Sequence, residues 1–337
     1  MRTCRWIVAL VFLALVIPAF AQDNKPTVLK WKFEPDKTFY QEMKTETKQT
    51  MKVSGSDVVQ TQDMTFYFGW TPKKQDGDNW IIQQKILGVK MSINIGGTKV
   101  DYDSTKDSQQ GNPLGDFFNK LKDAEFTITV DKNNKVVKVE GRDTFVNKLI
   151  GANPQMENLL KKILSEEALK EMAEPTFAVV PTGDAPKGKK WSREAKIDMG
   201  PLGKYENTYA YTFEGEGADK LYTIKVDTQT KYVPPPDTGT AMDQPTGAGA
   251  GALPFKIKSG NLKSTSSSGT VKFDNTKGRV ESSEMALEIA GDLDIEISGQ
   301  TTKVNLTQKQ TTTVKTLDKN PVEKEKPPEK PAEKTKQ

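Results

Sequence analysis

The stretch from Phe39 to Val53 reads FYQEMKTETKQTMKV. Its odd positions carry Phe39, Met43, Thr45, Thr47, Met51 and Val53, while its even positions include Glu42, Lys44, Glu46, Lys48 and Lys52. Successive side chains of a strand point to opposite faces, so this period of two specifies a long strand with one covered and one wet face. The alternation returns at Met64, Phe66, Phe68 and Trp70, then at Val89, Met91, Ile93 and Ile95. Turn signals separate the runs, Val53-Ser54-Gly55-Ser56 and Asp76-Gly77-Asp78. Together they predict an antiparallel meander with one face buried.

A helical block then interrupts the strands. Asn112-Pro113 supplies an N-cap and a first-turn proline, and Leu114, Phe117, Phe118 and Leu121 follow at the spacing of one apolar stripe. Phe126, Ile128 and Val130 pair through Asn133-Asn134 with Val137 and Val139 as a hairpin. Asp143 to Ile150 reads as a helix. Asn153-Pro154 opens another, with Met156, Leu159, Leu160, Ile163 and Leu164 on one face, and Ser165 caps a last turn running to Met172.

Strands resume with Tyr205, Tyr209, Tyr211 and Phe213 on one face, followed by Tyr222, Ile224 and Val226. The Pro- and Gly-rich stretch 233–254 has no periodicity and reads as a loop. Val271 and Phe273 lead through Asn275-Thr276-Lys277-Gly278 into a long run with Met285, Leu287, Ile289, Leu293, Ile295 and Ile297 on one face. Gly291, inside that run, reads as a bulge or bend. Residues 304–317 form a last, threonine-rich strand. From 318 to 337 proline, lysine and glutamate dominate, a composition that reads as a disordered tail. The expected fold is mainly β with some α: one strongly curved antiparallel sheet or half-barrel, its helical insert (113–172) packed on the concave face, in a single domain spanning 22–317.

The N-terminus reads as a cleavable secretory leader, residues 1–21. Arg2 and Arg5 precede the apolar run Trp6 to Ile17, and Ala19-Phe20-Ala21 matches a cleavage site. Twelve or so apolar residues are short of the roughly 20 that span a bilayer, so no stable membrane insertion is expected. The expected location is the periplasm or cell envelope. Cys4 is the one cysteine, it lies in the leader, and the chain has no histidine. Disulfides, thiolate metal sites and Ser-His-Asp or zincin chemistry are thereby excluded from the processed chain. The formal net charge of +4 falls further once Arg2 and Arg5 are lost, so nothing electrostatic recommends nucleic acid as a partner.

Trp31-Lys32-Phe33, Thr38-Phe39-Tyr40, Gly96-Gly97, Tyr102-Asp103-Ser104, Asn112-Pro113-Leu114, the block Gly141 to Glu174, Tyr205-Glu206-Asn207-Thr208-Tyr209 and Gly278-Arg279-Val280 give the chain a family character. On these residues it resembles an uncharacterised family of secreted bacterial proteins, common in planctomycetes, known only as a domain of unknown function. That resemblance implies a secreted β-rich domain and transfers no activity, ligand or catalytic residue. The order of meander, helical insert and further strands is also similar, at the level of fold, to the periplasmic lipoprotein carriers, half-barrels that hold lipid tails beneath helices.

Several constellations carry candidate chemistry. Asp101, Asp103 and Asp107 are hard oxygen ligands at short spacing, but Lys106 and Asn112 stand where an EF-hand loop has glycine and glutamate, which leaves a solvated acidic loop as the plainer reading. Glu284, Glu288, Asp292, Asp294 and Glu296 alternate as the wet face of a strand does, against the alternative of a carboxylate pair for catalysis. Lys187, Lys189 and Lys190 beside Trp191 read as a basic surface loop. The row Tyr205, Tyr209, Tyr211 and Phe213 is the candidate ligand-binding set, with core packing as its alternative. The methionines Met43, Met51, Met64, Met91, Met156 and Met285 fall on apolar faces and suit a flexible apolar ligand or a large core. The expected function is non-enzymatic binding of an apolar or amphipathic ligand of lipid or lipoprotein type, with no cofactor, no metal and no catalytic residue. The alternatives are a structural or interaction module of the cell envelope, reaching a partner through the C-terminal tail, and, third, a carboxylate-dependent enzyme.

Overall fold

The computed structural model describes residues 27–53, 55–106, 118–151, 154–236 and 255–323. The expected leader with Cys4, Asp107, the start of the helix expected from Pro113, most of the 233–254 loop and the tail past 323 lie outside the described residues. The chain runs through β1 (Thr27–Val28), β2 (Phe39–Val53), β3 (Ser56–Asp76), β4 (Asn79–Ile95), β5 (Thr98–Asp103), β6 (Glu125–Val130) and β7 (Val136–Glu140). Helices α1 (Arg142–Ile150), α2 (Glu157–Ile163) and α3 (Glu166–Ala178) follow. The chain continues through β8 (Asp184–Ala185), β9 (Lys190–Asp198), β10 (Lys204–Glu216), β11 (Tyr222–Val233), β12 (Lys256–Gly260), β13 (Lys263–Asp274), β14 (Arg279–Ile297) and β15 (Gln300–Leu317).

One antiparallel sheet takes the order β7-β6-β4-β3-β2-β15-β14-β13-β11-β10-β9, with β5 added on β4 and β12 on β14; β1 and β8 form a separate pair. The expected meander is β2-β3-β4, and its register puts the expected apolar residues on one face: Met43 lies opposite Phe66 and Val314, and Met64 opposite Thr45 and Met91. The last strand inserts beside the first long one, so chain closure occurs in the middle of the sheet. Its two ends, β7 and β9, are the edges.

The sheet is curved but not closed into a barrel, and α3 on its concave side contacts both edge strands. Free edge N–H groups are templates for unwanted strand pairing. Here they are met by helix carboxylates: Val139 of β7 donates to Glu166, Val136 to Glu174, and Lys196 of β9 to Glu171 Oε2 at 2.9 Å. The helix therefore bridges the edges through polar contacts while its other face enters the core. Phe177, fully buried, meets Trp31, Phe33 and Trp70.

Ser165 caps α3 as its sequence position suggests, accepting a hydrogen bond from Ala168 N at 3.1 Å. Ser165→Ala is expected to cost about 1 kcal/mol, read by thermal melting, the usual loss for an N-cap hydroxyl.

Three sequence expectations need correction, and two strands lie beyond them. Helix α3 does not stop at Met172 but continues through Pro175 to Ala178. The proline withholds an N–H from Glu171 late in the helix, and the buried Phe177 and Ala178 hold the last turn in place. Of the bulge or bend expected at Gly291, the bulge is absent against β15, where the register is unbroken, while on its other side β14 passes from β13 to β12. The Gly291 φ of 152° serves a close approach instead: a Cβ would stand 2.8 Å from Asn261 O, where β12 hands over to β13. The strands β9 and β12 escape sequence reading, being short or mostly polar. Finally, the start of the tail is packed: Arg279 Nη1 lies 2.7 Å from Asp318 Oδ1, and Val322 covers Gly88.

Candidate ligand-binding site

Between the concave face and α3 lies a cavity of about 390 Å³. One wall comes from the first half of the chain through Met43, Phe66, Phe68, Trp70 and Ile86, the other from the second half through Tyr209, Tyr211, Val226, Val271 and Met285. Phe145 of α1 and Leu169, Ala173 and Thr176 of α3 form its roof, with the half-exposed Met172 at the rim. No charged side chain lines it among the described residues. The polar exceptions are Gln41, Gln84, Thr176, Ser283 and the two phenols. The indole N–H of Trp70 is buried without a hydrogen-bond partner among the described residues, a state that costs about 1–3 kcal/mol unless an acceptor meets it.

The cavity follows from curvature. Both halves of the sheet and α3 contribute to its lining, and the small side chain of Ala173 leaves space there that the aromatics do not fill. Burial pushes the Tyr209 and Tyr211 phenols up from their ordinary range, for Tyr209 helped by Glu171 and for Tyr211 by Tyr209. Both therefore stay protonated and keep their O–H donors at neutral pH.

The four expected site residues separate. Tyr209 and Tyr211 stand on the cavity wall, stacked on each other with ring centroids 6.4 Å apart. Tyr205 lies farther along β10 against Tyr232, 5.4 Å between centroids, and burial pushes the Tyr232 phenol up to about 12. Phe213 is packed core, stacked on Tyr222. Of the methionines, Met43 and Met285 reach the cavity, Met91 is buried beside it, and Met51 belongs to a separate apolar cluster at the far end of the long strands. Sequence periodicity assigned their faces; it carried no signal for Phe145, Leu169 or Ala173 as a roof over the sheet.

The other constellations stand on the outer surface. Asp103 Oδ1 accepts from the N–H and hydroxyl of Thr105, Asp101 pairs with Lys99 at 3.0 Å, and among the described residues no group of three or more ligating side chains is placed to hold a metal ion. Glu288 pairs with Lys309 at 2.6 Å and Asp294 with Ser259 Oγ at 2.6 Å, on the wet face of β14. Lys189 Nζ donates to the Thr182 carbonyl at the surface, whereas Trp191 packs inward and stacks on Tyr211. A larger open cleft, about 1110 Å³, is lined mostly by polar and charged residue types and lies where β11 and β13 part. There the Thr228 and Thr230 N–H groups donate to Ser267 and Ser264 hydroxyls in place of ladder carbonyls.

Glu174, beside the cavity roof, is raised by burial, opposed by the Val136 N–H, Lys135 and Arg193 and reinforced by Glu171. Because its folded pKa exceeds the unfolded value, ionising it as pH rises through that interval costs stability. Glu174→Gln, which keeps the acceptor for Val136, is expected to raise the melting temperature at neutral pH and leave it unchanged in acid. A lower melting temperature at neutral pH would show that the charge itself is needed.

Residues 77–280 match the model of a family described as a family of unknown function (DUF6263). The match covers more than half of the chain, and the protein belongs to that family. No curated protein matches the sequence. Among solved structures, a lipovitellin structure titled for lipid-protein interactions aligns with 85% of this chain at a TM-score of 0.43 and 9% identity, and this chain spans 25% of that one. OccK5 (OpdH) of Pseudomonas aeruginosa aligns over 85% of this chain and 100% of its own at a TM-score of 0.22 and 4% identity. DynF from the dynemicin biosynthesis pathway of Micromonospora chersina aligns over 85% of this chain and 84% of its own at 0.18 and 7% identity. Likenesses at this level carry no argument about function.

Proposed function

We propose that this protein binds one apolar or amphipathic small molecule in the cavity between sheet and helix, without transforming it, and does so outside the cytoplasm after losing its leader. The observation that carries the reading is the cavity itself: about 390 Å³, walled by both halves of the sheet and, among the described residues, without a charged side chain. Small-molecule sites run from about 300 to 1,000 Å³ and are mostly apolar with a few placed polar groups. Aromatic and aliphatic side chains that face unfilled space forfeit contact energy, which an apolar guest restores. The Trp70 N–H, without a partner among the described residues, and the protonated Tyr209 and Tyr211 hydroxyls supply donors for an otherwise apolar guest.

The test is titration of the purified protein with N-phenyl-1-naphthylamine, an uncharged apolar fluorophore. Saturable, one-to-one enhancement is expected. Absence of saturable binding would sink the reading.

A further inference from the structure

We propose that the ligand's chain fills the cavity while an uncharged, hydroxyl-bearing head group lies on an amide-lined band of the concave face beside it, an inference that rests on the binding function proposed above. Met43, Phe66 and Val314 form the cavity floor. The next inward positions along the same strands are Thr45, Met64 and Thr312, roughly 7 Å on at two residues per inward step. Beyond them one cross-strand row brings together Gln62, Thr47 and Gln310, and the row after it Gln60, Gln49 and Gln308.

Both rows run on to apolar residues, Ile93 and Leu287 in the first, Ile95 and Ile289 in the second, and neither contains a charge. The outward face of the same strands is the opposite. Lys48 stands beside Lys309, which is paired with Glu288, and Glu46 stands opposite Asp63. Charge is thus confined to the convex side at the level where the concave side carries amides.

These amides are half-buried and have bonding capacity to spare. Gln308 Nε2 donates to Gln310 Oε1 and Gln310 Nε2 to Thr312 Oγ1, each at 3.3 Å, and the Thr45 and Thr312 hydroxyls meet at 3.2 Å. Gln49, Gln60 and Gln62 have no side-chain hydrogen-bond partner among the described residues. A glutamine amide offers two donors and an acceptor, the complement of a hydroxyl that both donates and accepts. A carboxylate or ammonium head would lose hydration there and meet no opposite charge, which is unfavourable.

The test holds the chain at twelve carbons and varies the head: dodecyl maltoside, laurate and dodecyltrimethylammonium, each titrated calorimetrically below its micelle concentration. The maltoside is expected to bind about tenfold more tightly than either charged probe, what one or two net hydrogen bonds supply. The double variant Gln62→Leu with Gln310→Leu is expected to erase that preference by weakening the maltoside, while the naphthylamine fluorophore binds as before because neither residue lines the cavity. Gln62→Glu, which adds a charge at a half-exposed position, is expected to favour dodecyltrimethylammonium over laurate. Laurate binding as tightly as maltoside, or a double variant that weakens all three probes equally, would overturn the head-group assignment. If the naphthylamine fluorophore still binds, the cavity reading survives that result; if neither it nor any twelve-carbon probe binds, both fall.

Discussion

Replacing Ala173 with phenylalanine is expected to weaken binding of an apolar probe by about 100-fold, near 2.7 kcal/mol, while the protein stays folded. Ala173 is 7% exposed and sits on α3 at the roof of the cavity, so a ring added there grows into the void instead of into packed atoms. Filling a void restores contacts its lining had lacked, so the melting temperature is expected to hold or rise. Val271→Phe, made from the opposite wall on β13, supplies a second route to the same block should the helix reject the ring. The check is probe titration with a parallel melt. A folded Ala173→Phe protein that binds with unchanged affinity would place the ligand somewhere else.

The second large effect concerns folding. Gly278→Ala is expected to destabilise the protein by roughly 3–5 kcal/mol, combining the cost of a left-handed non-glycine residue with steric overlap. Gly278 has φ 63°, and a Cβ on it would stand 2.5 Å from Lys32 N and 2.4 Å from Lys32 Cβ. That contact belongs to residues 28–33, an arm ahead of β2 that joins the two halves of the sheet. Lys32 N donates to Gly278 O at 2.9 Å, Lys30 N and Val28 O bond the Asn275 side chain, and Trp31 Nε1 donates to Phe177 O at 3.2 Å. Trp31 meets Phe273 edge-on and stacks on Phe33, which reaches Trp80 on the other half. Denaturant unfolding measures the loss, and a change below about 1 kcal/mol would mean that the arm is not a structural tie.

The legible part of the fold was the part governed by period. Long strands with alternating charge, such as β2 and β14, announce both their existence and their faces, because an unpaired inward charge would be too costly to tolerate. Ser165 and the glycine turns were legible for the same local reason. Strands β9 and β12 were not, since their pairing is decided by partners far along the chain. The run of helix through Pro175 was likewise set by tertiary burial of Phe177 against Trp31, Phe33 and Trp70, which outweighs the local penalty of proline.

The candidate site was half legible. Tyr209 and Tyr211 were picked out by their spacing, and Tyr205 and Phe213 share that spacing while meeting different neighbours. Period assigns a face; whether that face meets a helix, another side chain or empty space depends on how far the sheet curls. The glutamine rows illustrate the same point. Each strand alone reads as a mixed polar segment, and only the register of β2, β3 and β15 brings Gln62, Thr47 and Gln310 side by side.

The most direct test of the central claim is native mass spectrometry, with solvent extraction, on protein purified from its own source without detergent. The account predicts one small molecule per chain, apolar or amphipathic, that is absent from the folded Ala173→Phe protein. A bare polypeptide mass, unchanged after incubation with lipids extracted from that source, would contradict it.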